Sequence, residues 1–278
     1  MASITVIGSV NLDLVAQAER LPAPGETLTN AVLHRFPGGK GANQALAARR
    51  LGADVSLVAR VGDDAAADEA LALLADGGVD LSQCLRLPGE STGTALIVVA
   101  AAGDNQIVVA PGANRALVPD GLPVPETDAV ICQLEVPVDT VAAVARAYRG
   151  FLCVNLAPAT HVDVAILQRA DLVVVNETES AWYGDSLAAC GGLVATTRGS
   201  GIATLSRDGV VVAEATPPVV DAVDTTGAGD TFTAALTVAL VQGRAPDEAL
   251  RFACAAGAAA TTKLGAQTSL PTLDEVRA

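Results

Sequence analysis

Residues 224–236 read Asp-Thr-Thr-Gly-Ala-Gly-Asp-Thr-Phe-Thr-Ala-Ala-Leu, a glycine-rich turn that ends in a carboxylate and runs into a long apolar helical pattern. Backbone N–H groups at a helix start lack intrahelical acceptors, and the helix dipole favours an anion there. Glycine lets a ligand approach those amides closely. The segment is therefore expected to form an anion hole from unpaired amides at Gly227, Ala228 and Gly229. Asp230 would sit among them as a base, taking a proton from an attacking hydroxyl while the amides hold a transferring phosphoryl group. The same Gly-Asp pair also reads as a plain N-cap, since aspartate is a preferred capping residue.

A second glycine-rich helix entry lies far upstream. Gly38-Gly39-Lys40-Gly41-Ala42-Asn43-Gln44 leads into a helical stretch, 45–51, closed by Gly52. Asn11, Asp13, Asn43 and Glu135 are side chains that can donate and accept hydrogen bonds in fixed pairs, as recognition of a polar ligand requires. Each also has an ordinary reading: Asn11 and Asp13 as turn residues after a first strand, Lys40 as a solvated charge, Asn43 as a cap, and Glu135 as a surface acid at a strand end.

The elements that must hold these residues alternate. Short apolar runs at 55–61, 129–134, 151–155, 171–175 and 193–197 interleave with helical patterns near 64–76, 137–149 and 163–169. That alternation predicts a largely parallel sheet covered on both faces, opened by a strand at 4–8. Residues 202–213 predict a hairpin around Arg207-Asp208-Gly209, and helices at 229–242 and 246–263 are expected to finish the fold. Residues 27–36, where Leu28, Val32 and Phe36 recur at even offsets, and 94–110, with a turn at Gly103-Asp104-Asn105, break the alternation. They predict a small antiparallel sheet, read either as a lid over the substrate or as an ordinary edge sheet. A protruding apolar sheet calls for cover, so a homodimer through it is expected. With no repeat or low-complexity linker, 1–278 reads as one α/β domain with a lid formed by about 11–36 and 92–110.

Composition removes several alternatives. A chain of 278 residues, 51% hydrophobic, can bury a large core, and it contains no apolar run long enough to span a bilayer. No signal segment is read at the N-terminus, so a cytoplasmic location is expected. A net charge of −14 disfavours nucleic acid and anionic membrane surfaces as partners. It leaves room for MgATP, because a local nest of amides binds phosphate inside an acidic protein. The five cysteines, Cys84, Cys132, Cys153, Cys190 and Cys254, form no Cys-x-x-Cys, and neither His34 nor His161 has a metal-ligand spacing. Zinc chemistry and Ser-His-Asp catalysis are set aside. No Gly-x-x-x-x-Gly-Lys-Ser/Thr occurs, so a P-loop is not supported.

Taken with Gly62, the two glycine-rich entries resemble the signature motifs of the ribokinase (PfkB) family of carbohydrate kinases. The resemblance extends through Ser9-Val10-Asn11-Leu12-Asp13, Pro24-Gly25-Glu26-Thr27, Glu90-Ser91-Thr92-Gly93, Gly112-Ala113-Asn114, Gln133-Leu134-Glu135, Asn176-Glu177-Thr178-Glu179 and Gly265-Ala266-Gln267. It implies a ribokinase-like α/β sandwich with a β lid, and ATP-dependent phosphorylation of the 5-hydroxyl of D-ribose. Another sugar or nucleoside as acceptor, or a non-catalytic sugar-binding paralogue, are the alternatives.

By the same resemblance, Asn11, Asp13, Gly39, Lys40, Asn43, Glu135 and Asp230 are implied to bind the sugar, with Asp230 as base and Gly227, Ala228 and Gly229 as the anion hole. In related deoxyribokinases the position of Asn11 is apolar, so Asn11 favours ribose. Asn176, Glu179, Thr197, Gly199 and Cys254 are implied on the nucleotide side, with Glu179 holding magnesium through water; Asn-x-x-Glu equally reads as a helix cap. Asp224, Thr226, Ala260, Lys263, Gly265 and Ser269 fall where the family binds a potassium ion, and they read equally as loop contacts. Three departures touch the nucleotide half. Leu156 replaces a proline, only 17 residues (180–196) separate Glu179 from Thr197 where an extra helix is usual, and Ile202 stands where a glycine is expected. A looser nucleotide half is the expectation.

Overall fold

The structure is a computed structural model that describes residues 1–102 and 104–276 and the backbone of Arg277. The Gly103 part of the expected turn lies outside the described residues. In chain order the first half holds β1 (Ser3–Ile7), β2 (Asn11–Ala18), β3 (Val32–Gly38), α1 (Lys40–Arg50), β4 (Asp54–Gly62), α2 (Ala65–Asp76) and β5 (Cys84–Leu87). The middle holds β6 (Gly93–Ala100), β7 (Asn105–Ala110), β8 (Ala129–Gln133), α3 (Val138–Ala147), β9 (Phe151–Asn155), α4 (Val164–Arg169), β10 (Leu172–Asn176) and α5 (Glu177–Tyr183). The last part holds β11 (Leu193–Thr197), β12 (Ala203–Arg207), β13 (Val210–Ala215), α6 (Ala228–Val241), α7 (Pro246–Ala259), α8 (Ala266–Ser269) and α9 (Leu273–Arg277).

Among the described residues, nine strands form one sheet in the order β13-β12-β11-β10-β9-β8-β1-β4-β5. It is parallel from β5 to β11 and closes with the antiparallel β11-β12-β13 edge. Strand β8 shows why both faces are covered. Ala129 and Ile131 join a core with α1, α2, α6 and α7, while Val130 and Cys132 join one with α3 and α4. A strand buried on both faces reads as a continuous apolar run, which is how it was legible.

The smaller sheet has the order β3-β2-β6-β7. Its outer pairings are antiparallel and the central one, β2 with β6, is parallel. Asn11 and Asp13 therefore lie in a strand, correcting the turn reading, and Leu28 precedes β3 rather than belonging to it. The 202–213 hairpin turns through Asp208 and Gly209, both left-handed at φ 52° and 75°, as an Asp-Gly turn between twisted strands requires.

Two helix expectations are corrected. The last long helix stops at Ala259, not 263, and α8 and α9 follow it. The shortened 180–196 segment keeps α5 and a 3₁₀ turn at Gly184–Ala189. Helix α6 carries three threonines in a buried environment. Each hydroxyl is satisfied by its own helix, Thr231 and Thr233 donating to Gly227 and Gly229 carbonyls and Thr237 to Thr233, all at 2.8 Å. No helix of the described residues is long and apolar enough to cross a membrane.

Candidate active site

The two glycine-rich entries meet at the start of α1 and α6. Gly39 caps α1 with φ 88°, a conformation that side chains resist. A Cβ on Gly38 would lie 2.3 Å from the Asp13 carboxylate, and one on Gly41 would lie 2.5 Å from the Ser9 amide. The glycines thus let α1 press its first turn onto the β1–β2 connection. There Glu135 accepts from the Ser9 hydroxyl (2.6 Å) and from the Lys40 amide (3.0 Å), tying the end of β8 to the same turn.

Asp230 stands in the first turn of α6, 7% exposed. Its Oδ2 accepts from Asn43 Nδ2 and its Oδ1 from Gln44 Nε2, both at 2.9 Å. Burial pushes its pKa up, against the lowering effect of Lys40 and of these two amides, and Glu135 adds to the rise. Asp13 is pushed up to about 7 by burial and by the charges of Glu135 and Asp230. Burial alone would lower the pKa of Lys40, but Asp230, Glu135, Glu179 and Asp13 outweigh it and hold it above its usual range. One cation thus faces four carboxyl groups, so the pocket attracts a further positive charge and favours a protonated or neutral guest over an anion unless a cation accompanies it.

The amides above Asp230 differ from expectation at one position. Ala228 N–H is not free, since it reaches the Thr225 carbonyl at 3.3 Å. The turn before the helix folds back on itself and takes that donor. The amides of Gly227, Gly229 and Asp230 have no backbone acceptor among the described residues. Gly227 is left-handed at φ 81° and faces Ala266, but a Cβ on Gly229 would meet nothing within 4 Å. The fold therefore has no steric need for glycine at 229, and the open space above it is room for a ligand.

Asn11 accepts at Oδ1 from Asn114 Nδ2 (2.8 Å), while its own amide nitrogen has no protein acceptor among the described residues. Asn43 Oδ1 is buried and unpartnered, an acceptor waiting for a donor. A cavity of about 490 Å³ runs from Asp13 along the inner face of the smaller sheet, past Val15, Phe36 and Ile97, to Thr226 and Gly265. Asp230 is not among the residues that line it.

On the other side Asn176 and Glu179 form a reciprocal cap. Asn176 Oδ1 accepts from the Glu179 amide and Glu179 Oε2 from the Asn176 amide, both at 2.8 Å. The cap reading is thus realised, and it leaves Glu179 Oε1 without a protein donor among the described residues. That oxygen, on a carboxyl group 8% exposed and raised in pKa by burial, suits a hard cation bound through water. No cluster of three or more metal-ligating side chains exists among the described residues, so a divalent ion here would rely on phosphate and water. Thr197 ends β11 and Gly199 turns left-handed at φ 56°. Ile202, standing where a glycine is expected, has no left-handed backbone, and Arg198 donates to its carbonyl (3.0 Å). Cys254 is 3% exposed in α7, its thiol turned to the Ala215 carbonyl. Leu156, in place of the expected proline, is fully buried in the core beneath β9.

Asp224 joins the two loops assigned to the monovalent cation. It accepts from the Thr226 amide (2.9 Å) and hydroxyl and from the Gly265 amide (2.9 Å), while Ser269 donates to Ala266 (2.9 Å) and Lys263 pairs with Glu275 (3.2 Å). Ala260 caps the end of α7. The segments do converge, and the outward main-chain oxygens of such loops are the donors a large monovalent cation takes.

Sequence reasoning gave no role to Gln44, Gln133, Asn155 or Ser9. Gln44 and Gln133 stood inside quoted motifs, but their partners lie about a hundred residues away in the chain, and only the fold pairs them.

Residues 1–273 match the model of the pfkB family carbohydrate kinases. The Bacillus subtilis ribokinase is 37% identical over 291 residues, covering 99% of this chain and 98% of that one. A structure of Arabidopsis thaliana ribokinase complexed with ribose and ATP superposes with a TM-score of 0.88 at 32% identity, covering 99% and 97%. A Salmonella typhi deoxyribokinase is 32% identical, covering 98% and 96%.

Proposed function

Because the chain belongs to the pfkB family of carbohydrate kinases, we propose that this ATP-dependent carbohydrate kinase phosphorylates the 5-hydroxyl of ribose, with Asp230 as the general base. The observation that carries the reading is the placement of one buried carboxylate, held by Asn43 and Gln44, directly under free helix-start amides and an open space at Gly229. Asp230 takes the hydroxyl proton as the oxygen attacks the terminal phosphorus of ATP, and the displaced ADP carries away the bond's electron pair. The amides of Gly227, Gly229 and Asp230 hold the phosphoryl oxygens, and Lys40 offsets developing charge. Asn11, Asp13, Asn43 and Glu135, with the Gly39–Lys40 backbone, hold the sugar. Asn176, Glu179, Thr197 and Gly199 serve the nucleotide, and Cys254 contributes only as part of the wall beneath it.

Glu179, through water at its free Oε1, would hold a magnesium ion, which would offset phosphate charge. A potassium ion held by Asp224, Thr226, Ala260, Lys263, Gly265 and Ser269 would order the turn before α6. The exposed apolar side chains on the face of the smaller sheet turned away from the cavity, among them Leu33, Leu96 and Val108 at 62%, 50% and 65% exposure, fit burial against a second copy. We read 1–278 as one unit whose lid spans 11–36 and 92–110, working in the cytoplasm, where ATP is supplied.

A second reading rests on the cavity beside Asp13, whose apolar walls extend past the sugar position and would admit a nucleoside base. An ADP-release assay over ribose, 2-deoxyribose, other pentoses, hexoses and nucleosides separates the two, with Asp230→Asn as control. Ribose is expected to be used best. Asp230→Asn is expected to keep sugar binding while losing about 10²–10⁴-fold in kcat. Turnover in that variant within a few-fold of wild type removes Asp230 from the chemistry, and a nucleoside preferred to ribose replaces the first reading by the second.

A further inference from the structure

Asp230 is the end of a chain of buried amides whose direction is set from the opposite end. Strand β10 presents the Val174 carbonyl, which can only accept, so Asn155 must turn its Nδ2 toward it (3.1 Å). Asn155 Oδ1 is then an acceptor, and Gln44 Nε2 donates to it (3.1 Å). The same Gln44 nitrogen gives its second hydrogen to Asp230 Oδ1 (2.9 Å), and Gln44 Oε1 accepts from Gln133 Nε2 (2.7 Å). All three amide side chains are buried, Gln44 and Gln133 completely. Gln133 keeps this orientation although its own Oε1 is left without a partner. Gly8 makes the space for it, since a Cβ there would lie 1.9 Å from that oxygen.

An amide can flip and present oxygen instead of nitrogen at almost no steric cost, and an oxygen facing Asp230 would repel its carboxylate. Here a flip of Gln44 would set oxygen against Asn155 Oδ1 and Asp230 Oδ1, and nitrogen against Gln133 Nε2. Every contact would become unfavourable at once. We propose that Gln44, locked by Asn155 and Gln133 to the backbone of β10, is a positioning residue that holds the Asp230 carboxylate in plane and keeps it ready to accept a proton. Asn43 holds the other oxygen from the same helix, so α1 grips the base with two consecutive residues.

The inference rests on Asp230 being the base, so its test includes Asp230→Asn. Gln44→Met and Gln133→Met keep side-chain length and remove the donor on Asp230 and the donor on Gln44, respectively. kcat, KM for ribose, KM for ATP and the pH dependence of kcat are measured on the full chain, with folding checked by melting. The other ionisable groups facing Asp230, namely Lys40, Glu135, Asp13 and Glu179, are unchanged in both variants. Gln44→Met is expected to lower kcat by about 10–100-fold, the loss of one hydrogen bond to a charged group. Both KM values stay within about twofold, because no substrate contact is lost. The acid limb of the profile moves to higher pH, since the carboxylate loses a donor that favoured its charged form. Gln133→Met is expected to move all three quantities the same way by less, and it carries the test if Gln44→Met does not fold.

A profile superimposable on wild type with unchanged kcat, or a loss confined to KM, overturns the positioning role. If Asp230→Asn is inactive while the glutamine variants behave as wild type, only this inference fails; if Asp230→Asn stays active, the assignment of the base fails first.

Discussion

On the sugar side of the cleft, Asn11, Asp13 and Asn43 are each less than a tenth exposed, Asn11 held by the Asn114 amide and Asn43 donating to Asp230. On the side assigned to the nucleotide, Trp182, in the helix that carries Glu179, and Ile202, just beyond Gly199, stand at 46% and 50% exposure. The first region is dry, and its Asn11 amide nitrogen, Asp13 carboxylate and Asn43 Oδ1, without a protein partner among the described residues, keep their hydrogen-bonding capacity for a guest. The second presents apolar side chains to solvent and keeps its order in the backbone, through the Asn176–Glu179 cap and the left-handed Gly199. Selectivity by buried hydrogen bonds is steep, because a missing partner strands a dry polar group, whereas selectivity by apolar contact is shallow. Discrimination is therefore expected to be sharp for the sugar and modest for the base of the nucleotide.

The largest effect expected from this contrast is in sugar choice. 2-Deoxyribose should fall below ribose by about 10²-fold or more in kcat/KM, and Asn11→Leu should narrow the gap, since it removes the polar group left unpaired by the deoxy sugar. Steady-state kinetics on both sugars with both proteins decides this, and equal values in the wild type would end the argument from Asn11.

Gly229 tests the other side. Gly229→Ala fills the open space above the helix start, so kcat/KM for ATP should drop at least about tenfold. The same change should stabilise the protein without ligand by about 0.4–1 kcal/mol, because alanine suits a helix better and meets nothing there. A melting curve and an ATP titration on one sample read both, and a fall in melting temperature would show that glycine serves the fold after all.

Asp13 exposes the cost of the dry half. Its folded pKa of about 7 lies above its unfolded value near 3.8, so the native state holds a proton that the unfolded chain has released. Its effect on stability is most favourable below the unfolded pKa and is lost as pH rises from about 4 to about 7. Asp13→Asn, which cannot ionise, should melt close to wild type near pH 4 and progressively higher than wild type as pH approaches 8, while binding ribose less well. Parallel melts at several pH values check this; a constant difference across the range would mean that Asp13 is ionised in the fold.

The smallest effect concerns the ion. Matched potassium and sodium chloride at constant ionic strength should separate activities by a few-fold, with potassium higher, because the Asp224 and Gly265 loops brace the turn before α6. Equal activities would leave these loops a purely structural role.

Much of the fold was legible because its causes are local. Apolar runs buried on both faces, Gly39 and Gly227 at left-handed helix starts, and the Asp208-Gly209 turn each follow from residue type at a single place in the chain. The same holds for Asp230, whose neighbours in sequence already form a turn with free amides. Misread features were those whose cause is distant. Asn11 and Asp13 look like turn residues until β6 arrives to pair with β2; Ala228 is the local exception, its amide taken by the Thr225 carbonyl within the same turn. Local chemistry by itself determined that this chain would put a carboxylate among free amides at a helix start. Only the tertiary structure decided how that carboxylate is held, since Gln44, Gln133, Asn155 and the Val174 carbonyl come from four separate elements. A buried amide's orientation depends on every partner around it at once.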